Sequence, residues 1–268
     1  MTADPVLRST RAGDGGRILV LTLARAGALN AIDNALLGAL HAALDEVDAQ
    51  LAGDPLAVRA VVIAGEGGRA FSTGMDLKER ATFDDEALRA QRHEIVRLVT
   101  RIHELPVPAI AAVEGFALAG GFELALACDL VVASRDAVFG LPEVGVGVFP
   151  GGGGTQTLTW AVGPARARDV VLTGRRLTAD EAEQWGIVAR VVEPGTASEA
   201  AIALAERVAA GAPIAVRQAR RAIATAHRSL AEGVAGENAL YEDVLVSADR
   251  REGFAAFAAK RAPRFEGR

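Results

Sequence analysis

The chain has 268 residues, 50% of them hydrophobic and 24% charged, with a formal net charge of −5. That composition excludes disorder, and the acidic balance speaks against nucleic acid or an anionic membrane surface as a partner. No apolar run approaches the roughly 20 residues that span a bilayer, and the single cysteine, Cys128, cannot staple a fold and fits a reducing, cytoplasmic setting.

The opening "MTADPVLRSTRAGDGG" has neither the apolar stretch of a secretion signal nor the acid-poor character of a transit peptide. β-branched runs at 17–24, "RILVLTLA", and at 58–63, within "AVRAVVIAG", predict buried strands. Between them Leu36, Leu40, Leu44, Val47 and Leu51 recur at three- and four-residue steps, the stripe of one helix. Leu88, Ile95, Leu98, Ile102 and Leu105 mark a second helix, ending before Pro106. "PAIAAVEGFA" predicts one further strand, a helix starts near Gly120-Gly121, and "DLVVAS" is again a strand. The alternation runs on to "ARVVEPG" (189–195), the pattern of an α/β layered domain. After Gly195, Ala201, Leu204, Ala205 and Val208 open a helical tail without strand candidates. Its apolar faces need cover from the main domain or a neighbouring subunit, which divides the chain into a core at 1–195 and a helical region at 196–268.

Four features compete as the site of chemistry. His41, His93, His103 and His227 are scattered over helical segments without metal-ligand spacing. Cys128 has no base near it in sequence and reads as an inert buried thiol. "PGGGGTQ" (150–156) lacks the Gly-Lys-Ser/Thr of a phosphate loop, and "GVGVFPG" does not satisfy G-x-G-x-x-G; both nucleotide readings fail, leaving a turn close to a ligand.

The fourth is a constellation. In "AFSTGMDL" (70–77), Gly74 makes a sharp turn after a strand and turns the Met75 amide toward a cleft. In "ALAGGFE" (117–123) the Gly120 amide opens a helix. Two such amides aimed at one point hold a developing oxyanion, aided by the helix dipole. Glu123 lies one helical turn on, inside an apolar run where a carboxylate is costly. Glu143 follows in "FGLPEVGV", a second acid among apolar neighbours.

These segments resemble the crotonase superfamily, and within it the enoyl-CoA hydratases, over nearly the whole chain. The similar stretches are "ALNAID" (28–33), "AFSTGMDLKE", "EGFALAGGFELALACDLVVAS", "FGLPEVGVGVFPGGGGTQTL", "VLTGRRLTADEAEQWGIVARVV" and the terminal "EGFAAFAAKRAPRFEGR". The resemblance implies a spiral of repeated ββα units and C-terminal helices that build homotrimers, often paired into hexamers. It implies a coenzyme A thioester as substrate, no metal, flavin or nicotinamide, and a carbonyl oxygen held by the Met75 and Gly120 amides. Glu123 would orient and deprotonate water, and Glu143 would deliver a proton to C2. Ala28, Met75, Asp76 and Leu77 match segments along the coenzyme A path, and Lys260 matches a basic position that reaches a neighbouring subunit's ligand.

"ARAGALN", "STG" and "TQTLTW" depart from the family's common wording at ligand-lining positions, which bears on acyl preference more than on reaction type. "GMDLKERA" and "PGGGGTQ" also resemble the branch that hydrates carboxylated thioesters such as methylglutaconyl-CoA. The sequence places no arginine or lysine for a distal carboxylate. An isomerase needs only one acid, and a catalytically idle scaffold has no reason to keep either. RNA binding would rest on "RQARRAIATAHR" (217–228), which a solvated helix face explains more simply.

Overall fold

Alternating β-branched runs and glycine turns wind the chain through two sheets. The computed structural model describes residues 6–226 and 229–268; His227 and the last residue of the 217–228 basic run lie outside the described residues. Strands β1 (Leu7–Ala12) and β2 (Ile18–Leu23) form an antiparallel hairpin, and β3 (Ala60–Gly65) lies parallel beside β2. From there each turn gives one strand to either sheet. β3 is followed by β4 (Ala70–Ser72), β5 (Ala109–Val113) by β6 (Phe116–Leu118), and β7 (Leu130–Ser134) by β8 (Val138–Gly140). Strands β9 (Arg176–Thr178) and β10 (Arg190–Val192) complete sheets of order β1-β2-β3-β5-β7-β10 and β4-β6-β8-β9. The pairs β2-β3-β5-β7-β10 and β4-β6-β8 are parallel, as a spiral with crossover connections requires.

Helices fill the crossovers. The stripe at Leu36, Leu40, Leu44 and Val47 is the buried face of α1 (Asn34–Gly53), whose first turn Asp33 caps by accepting from the Leu36 amide. Next come α2 (Leu77–Arg80) and α3 (Asp85–His103), which buries Ile95, Leu98 and Ile102. α4 (Gly120–Ala127) is buried at all but one position, unlike the amphipathic helices around it. α5 (Gly154–Val162), α6 (Pro164–Thr173) and α7 (Ala179–Gln184) precede β10, the last with a capping box between Thr178 and Glu181.

"PAIAAVEGFA", read as one strand, is two strands in two sheets. The break falls at Gly115, where φ is 59° and an added methyl would stand 2.1 Å from the Arg69 carbonyl oxygen. Only glycine lets the chain step from one sheet to the other at that contact.

Beyond residue 195, α8 (Ala197–Ala209) lays Ala201, Leu204 and Ala205 on Ile18, Val20, Val62, Ile110 and Val132, closing the outer face of the six-stranded sheet. α9 (Pro213–Ile223) is tied back by Arg220, which pairs with Asp129 at 2.6 Å and donates to the Leu105 carbonyl at 2.6 Å. α10 (Leu230–Val246) buries none of its described residues, and α11 (Ala248–Ala258) exposes Phe254 and Phe257. Among the described residues no helix is long and apolar enough to cross a membrane.

Candidate active site

Where β4 ends, Gly74 reverses the chain at φ 88°. Residues 74–76 then bridge to Ile32, whose amide donates to the Gly74 carbonyl while its carbonyl accepts from the Asp76 amide. A parallel bridge uses the groups flanking Met75 and turns the Met75 N–H to the opposite side. Facing it, β6 runs into Ala119, a non-glycine residue at φ 51°, and α4 begins at Gly120. The first amides of a helix have no partner within it. A methyl at Gly74 would stand 2.8 Å from the Gly120 nitrogen, and one at Gly120 would stand 3.7 Å from the Met75 nitrogen. The two amides are thus neighbours, and neither donates to another described residue.

Glu123, one turn into α4, is 4% exposed. Its Oε1 accepts from the amides of Gly152 and Gly154, each at 2.8 Å. Methyl groups there would stand 2.8 Å and 2.9 Å from the glutamate side chain, so the glycine run of "PGGGGTQ" exists to bring backbone amides onto a carboxylate. Burial raises the Glu123 carboxyl above its ordinary range, while the Gly154 and Gly152 amides and the Arg80 charge oppose the rise.

Glu143 opens a 3₁₀ turn, Glu143–Val146, just after β8. Its Oε2 is buried without a hydrogen-bond partner among the described residues. Burial pushes this carboxyl up to about 7; its own backbone amide pulls it down and the Glu123 charge adds to the rise. One region of the fold therefore brings near each other an acid steadied by two amides, a second acid that feels its charge, and two N–H donors without a partner among the described residues. Such a set can hold an oxygen that gains negative charge while protons move beside it.

The other expected contacts have separate settings. Ala28 is exposed in the 3₁₀ turn Ala26–Ala28, and Leu77 is 60% exposed at the start of α2. The Asp76 carboxylate caps α2 by accepting from Lys78 and Glu79 amides and pairs with Arg25 at 3.1 Å. Arg25 also pairs with Asp33 at 2.9 Å, so Asp76 holds the turn that carries Met75. Lys260 is exposed past α11, and no ion pair ties it to another described residue. Among the described residues no group of three or more His, Cys, Asp or Glu is placed to hold a metal. The Cys128 thiol is pushed up above its ordinary value by burial and the Asp129 charge, which leaves it inert.

Sequence reasoning missed Arg80. Its Nε donates to the Gln91 Oε1 at 2.8 Å, and the Gln91 amide donates to Asn34 at 2.8 Å and to Glu79 at 3.0 Å. Three segments meet there, and no local motif announces it.

Spiral and pocket together define an enzyme of the crotonase superfamily. The family model described as Enoyl-CoA hydratase/isomerase matches residues 13–268, and the chain belongs to that family. It is 39% identical to an enoyl-CoA isomerase/hydratase of Zymoseptoria tritici over 94% of this chain and 85% of that one. It is 40% identical to the 2,3-dehydroadipyl-CoA hydratase of Escherichia coli, over 94% of this chain and 96% of the relative. The crystal structure of an enoyl-CoA hydratase from Bacillus anthracis superposes with a TM-score of 0.93 at 37% identity, covering 98% of this chain and all of that one.

Proposed function

We propose that the protein adds water reversibly across the C2–C3 double bond of a 2-enoyl-CoA thioester, giving the 3-hydroxyacyl-CoA. The observation that carries this is the pairing of Glu123, held by two amides, with Glu143, whose carboxyl is pushed up to about 7, beside two free backbone donors. The thioester oxygen lies between the Met75 and Gly120 amides, each contributing roughly 3 kcal/mol as negative charge grows on it. Glu123, ionised, takes a proton from water as the water oxygen bonds to C3. Glu143, protonated, delivers its proton to C2, so the π electrons end in the new C–H bond. The pair then re-equilibrates its proton for the next turnover, and dehydration runs the same steps backward. No metal or redox cofactor enters this scheme. Ala28, Asp76 and Leu77 border the coenzyme A path; the exposure of Ala28 and Leu77 and the ordering of the turn by Asp76 support that placing.

The acyl chain is a straight one or a branched, carboxylated one such as methylglutaconyl. We assign the core to 1–195 and oligomer contacts to 196–268, in a homotrimer or a hexamer of two trimers, with Lys260 reaching a neighbour's ligand. A cytoplasmic setting fits the lone, inert Cys128.

Incubation with crotonyl, longer straight-chain and methylglutaconyl thioesters, following loss of the conjugated enoyl absorbance, tests the reaction. Glu123→Gln and Glu143→Gln should each fold and each lose about 10²–10⁴-fold in turnover. Because both serve one addition step, the double variant should be far from multiplicatively worse. Near-normal turnover in either single variant removes that residue from the mechanism.

A further inference from the structure

Arg80 ends α2 beside the pocket, half-buried, with one edge of its guanidinium engaged. The Nε donates to Gln91 at 2.8 Å, and Gln91 is itself 4% exposed and locked by Asn34 and Glu79. The two terminal nitrogens make no hydrogen bond or ion pair to any described residue. Nearby acids do not occupy them. Glu79 accepts from the Asn34 amide at 3.2 Å and 3.1 Å and from Gln91 at 3.0 Å, and Glu123 accepts from Gly152 and Gly154. Burial holds the Arg80 guanidinium somewhat below its ordinary value, and the charges of Glu123 and Glu79 keep it protonated. A second cation stands close by. Arg92, exposed and next to Gln91 in α3, has its Nε 3.4 Å from where a methyl on Gly151 would stand, one residue from the Glu123 cradle.

A guanidinium fork fixed along one edge and free along the other matches the two oxygens of a carboxylate. With no such partner among the described residues, a ligand carboxylate can take the free edge. We propose that Arg80 is a specificity-determining residue that grips a carboxylate at the far end of the acyl chain, with Arg92 adding positive charge from the rim. The favoured substrates are then coenzyme A thioesters of short enoyl dicarboxylic acids. This deepens the hydratase reading and rests on it for the direction in which the acyl chain passes Glu123.

Binding separates this from the chemistry. Adipoyl-CoA and hexanoyl-CoA match in chain length, differ in the terminal carboxylate, and cannot be hydrated. By titration calorimetry the wild type should bind adipoyl-CoA at least about tenfold more tightly, the scale of one charge-assisted hydrogen bond. Arg80→Met should remove most of that preference, leaving only what Arg92 supplies, and Arg80→Lys should retain more of it. Any effect of Arg80 on Glu123 acts on both ligands and cancels in the ratio. Equal or weaker binding of adipoyl-CoA by the wild type overturns the proposal, whether or not the variants fold. So does a preference undiminished by Arg80→Met. Turnover of the matching six-carbon enoyl thioesters by the wild type reports on the hydratase reading alone. Tight adipoyl binding without turnover of either sinks that reading and leaves the carboxylate selectivity standing.

Discussion

At the scale of single residues, Glu143 carries two opposite requirements. Its carboxyl is pushed up from an ordinary 4.5 to about 7, so the folded state holds the proton more tightly than the unfolded chain. Stability from this group is fully present below the ordinary value and is lost as pH rises through 4.5 to about 7. Glu143→Gln cannot ionise and removes that loss. It should unfold at a higher temperature than the wild type at pH 8, by about 1–3 kcal/mol of relieved burial, and gain nothing at pH 4. A variant less stable at pH 8 would mean that ionised Glu143 has a stabilising partner. Hydration needs Glu143 protonated and Glu123 ionised, and dehydration needs the reverse, so both directions require a single proton on the pair. kcat/KM should therefore fall in both directions together as pH rises through about 7. Profiles recorded from both ends of the equilibrium check this; profiles flat through pH 7 would detach the titration from Glu143.

At the scale of elements, the glycine run at 151–154 positions the Glu123 carboxylate. Gly152→Ala places a methyl 2.8 Å from Oε2, inside contact distance, and the glutamate must swing or the loop must retreat. Gly152 is not in the left-handed region, so the substitution strains packing and not backbone. Turnover should drop by about 10²-fold, the effect of a misplaced catalytic group, while the far-ultraviolet spectrum stays unchanged. Unimpaired turnover would show that the two amides do not set Glu123. The same loop marks where sequence reading stops. The helix stripe of α1, the start of α4 and the strands β2, β3 and β7 were legible because their periodicity is local. The expectation of Glu123 and Glu143 as a pair rested on glycines and a burial cost, and the charge of Glu123 does act on Glu143 in the fold. The cradle was not, because its bonds join residues 29 and 31 apart in sequence. Arg80 escaped for the same reason, since its orientation depends on Gln91 and Asn34 in other helices. The step from β5 to β6 was hidden because it is imposed at Gly115 by contact with Arg69, far upstream in the chain.

At the scale of the whole molecule, the two halves of the C-terminal region behave differently. α8 is a wall of the core: its alanine face lies on the six-stranded sheet, and Glu114 caps it by accepting from the Ala197 amide at 2.8 Å. The helices after it leave apolar side chains uncovered, with Ile223, Leu230 and Phe257 at 73%, 83% and 88% exposure. Exposed apolar side chains on helices that the core does not use suit a surface completed by another chain. The trimer proposed above puts it to use, and this can be tested without disturbing the fold. Ile223→Glu, Leu230→Glu and Phe257→Glu replace exposed side chains, so each should cost the isolated chain within about 0.5 kcal/mol. Buried at a subunit contact, an unpaired carboxylate costs about 3–5 kcal/mol, enough to dissociate the assembly at working concentrations. Sedimentation should therefore find the wild type at a multiple of three chains and the triple variant at one. If Lys260 reaches a neighbour's ligand, that variant should also lose acyl-CoA affinity as Lys260→Ala does, and adding Lys260→Ala to it should change nothing further. Additive losses would place Lys260 at its own chain's ligand. A wild type that sediments as a single chain would leave those apolar helices to some other partner.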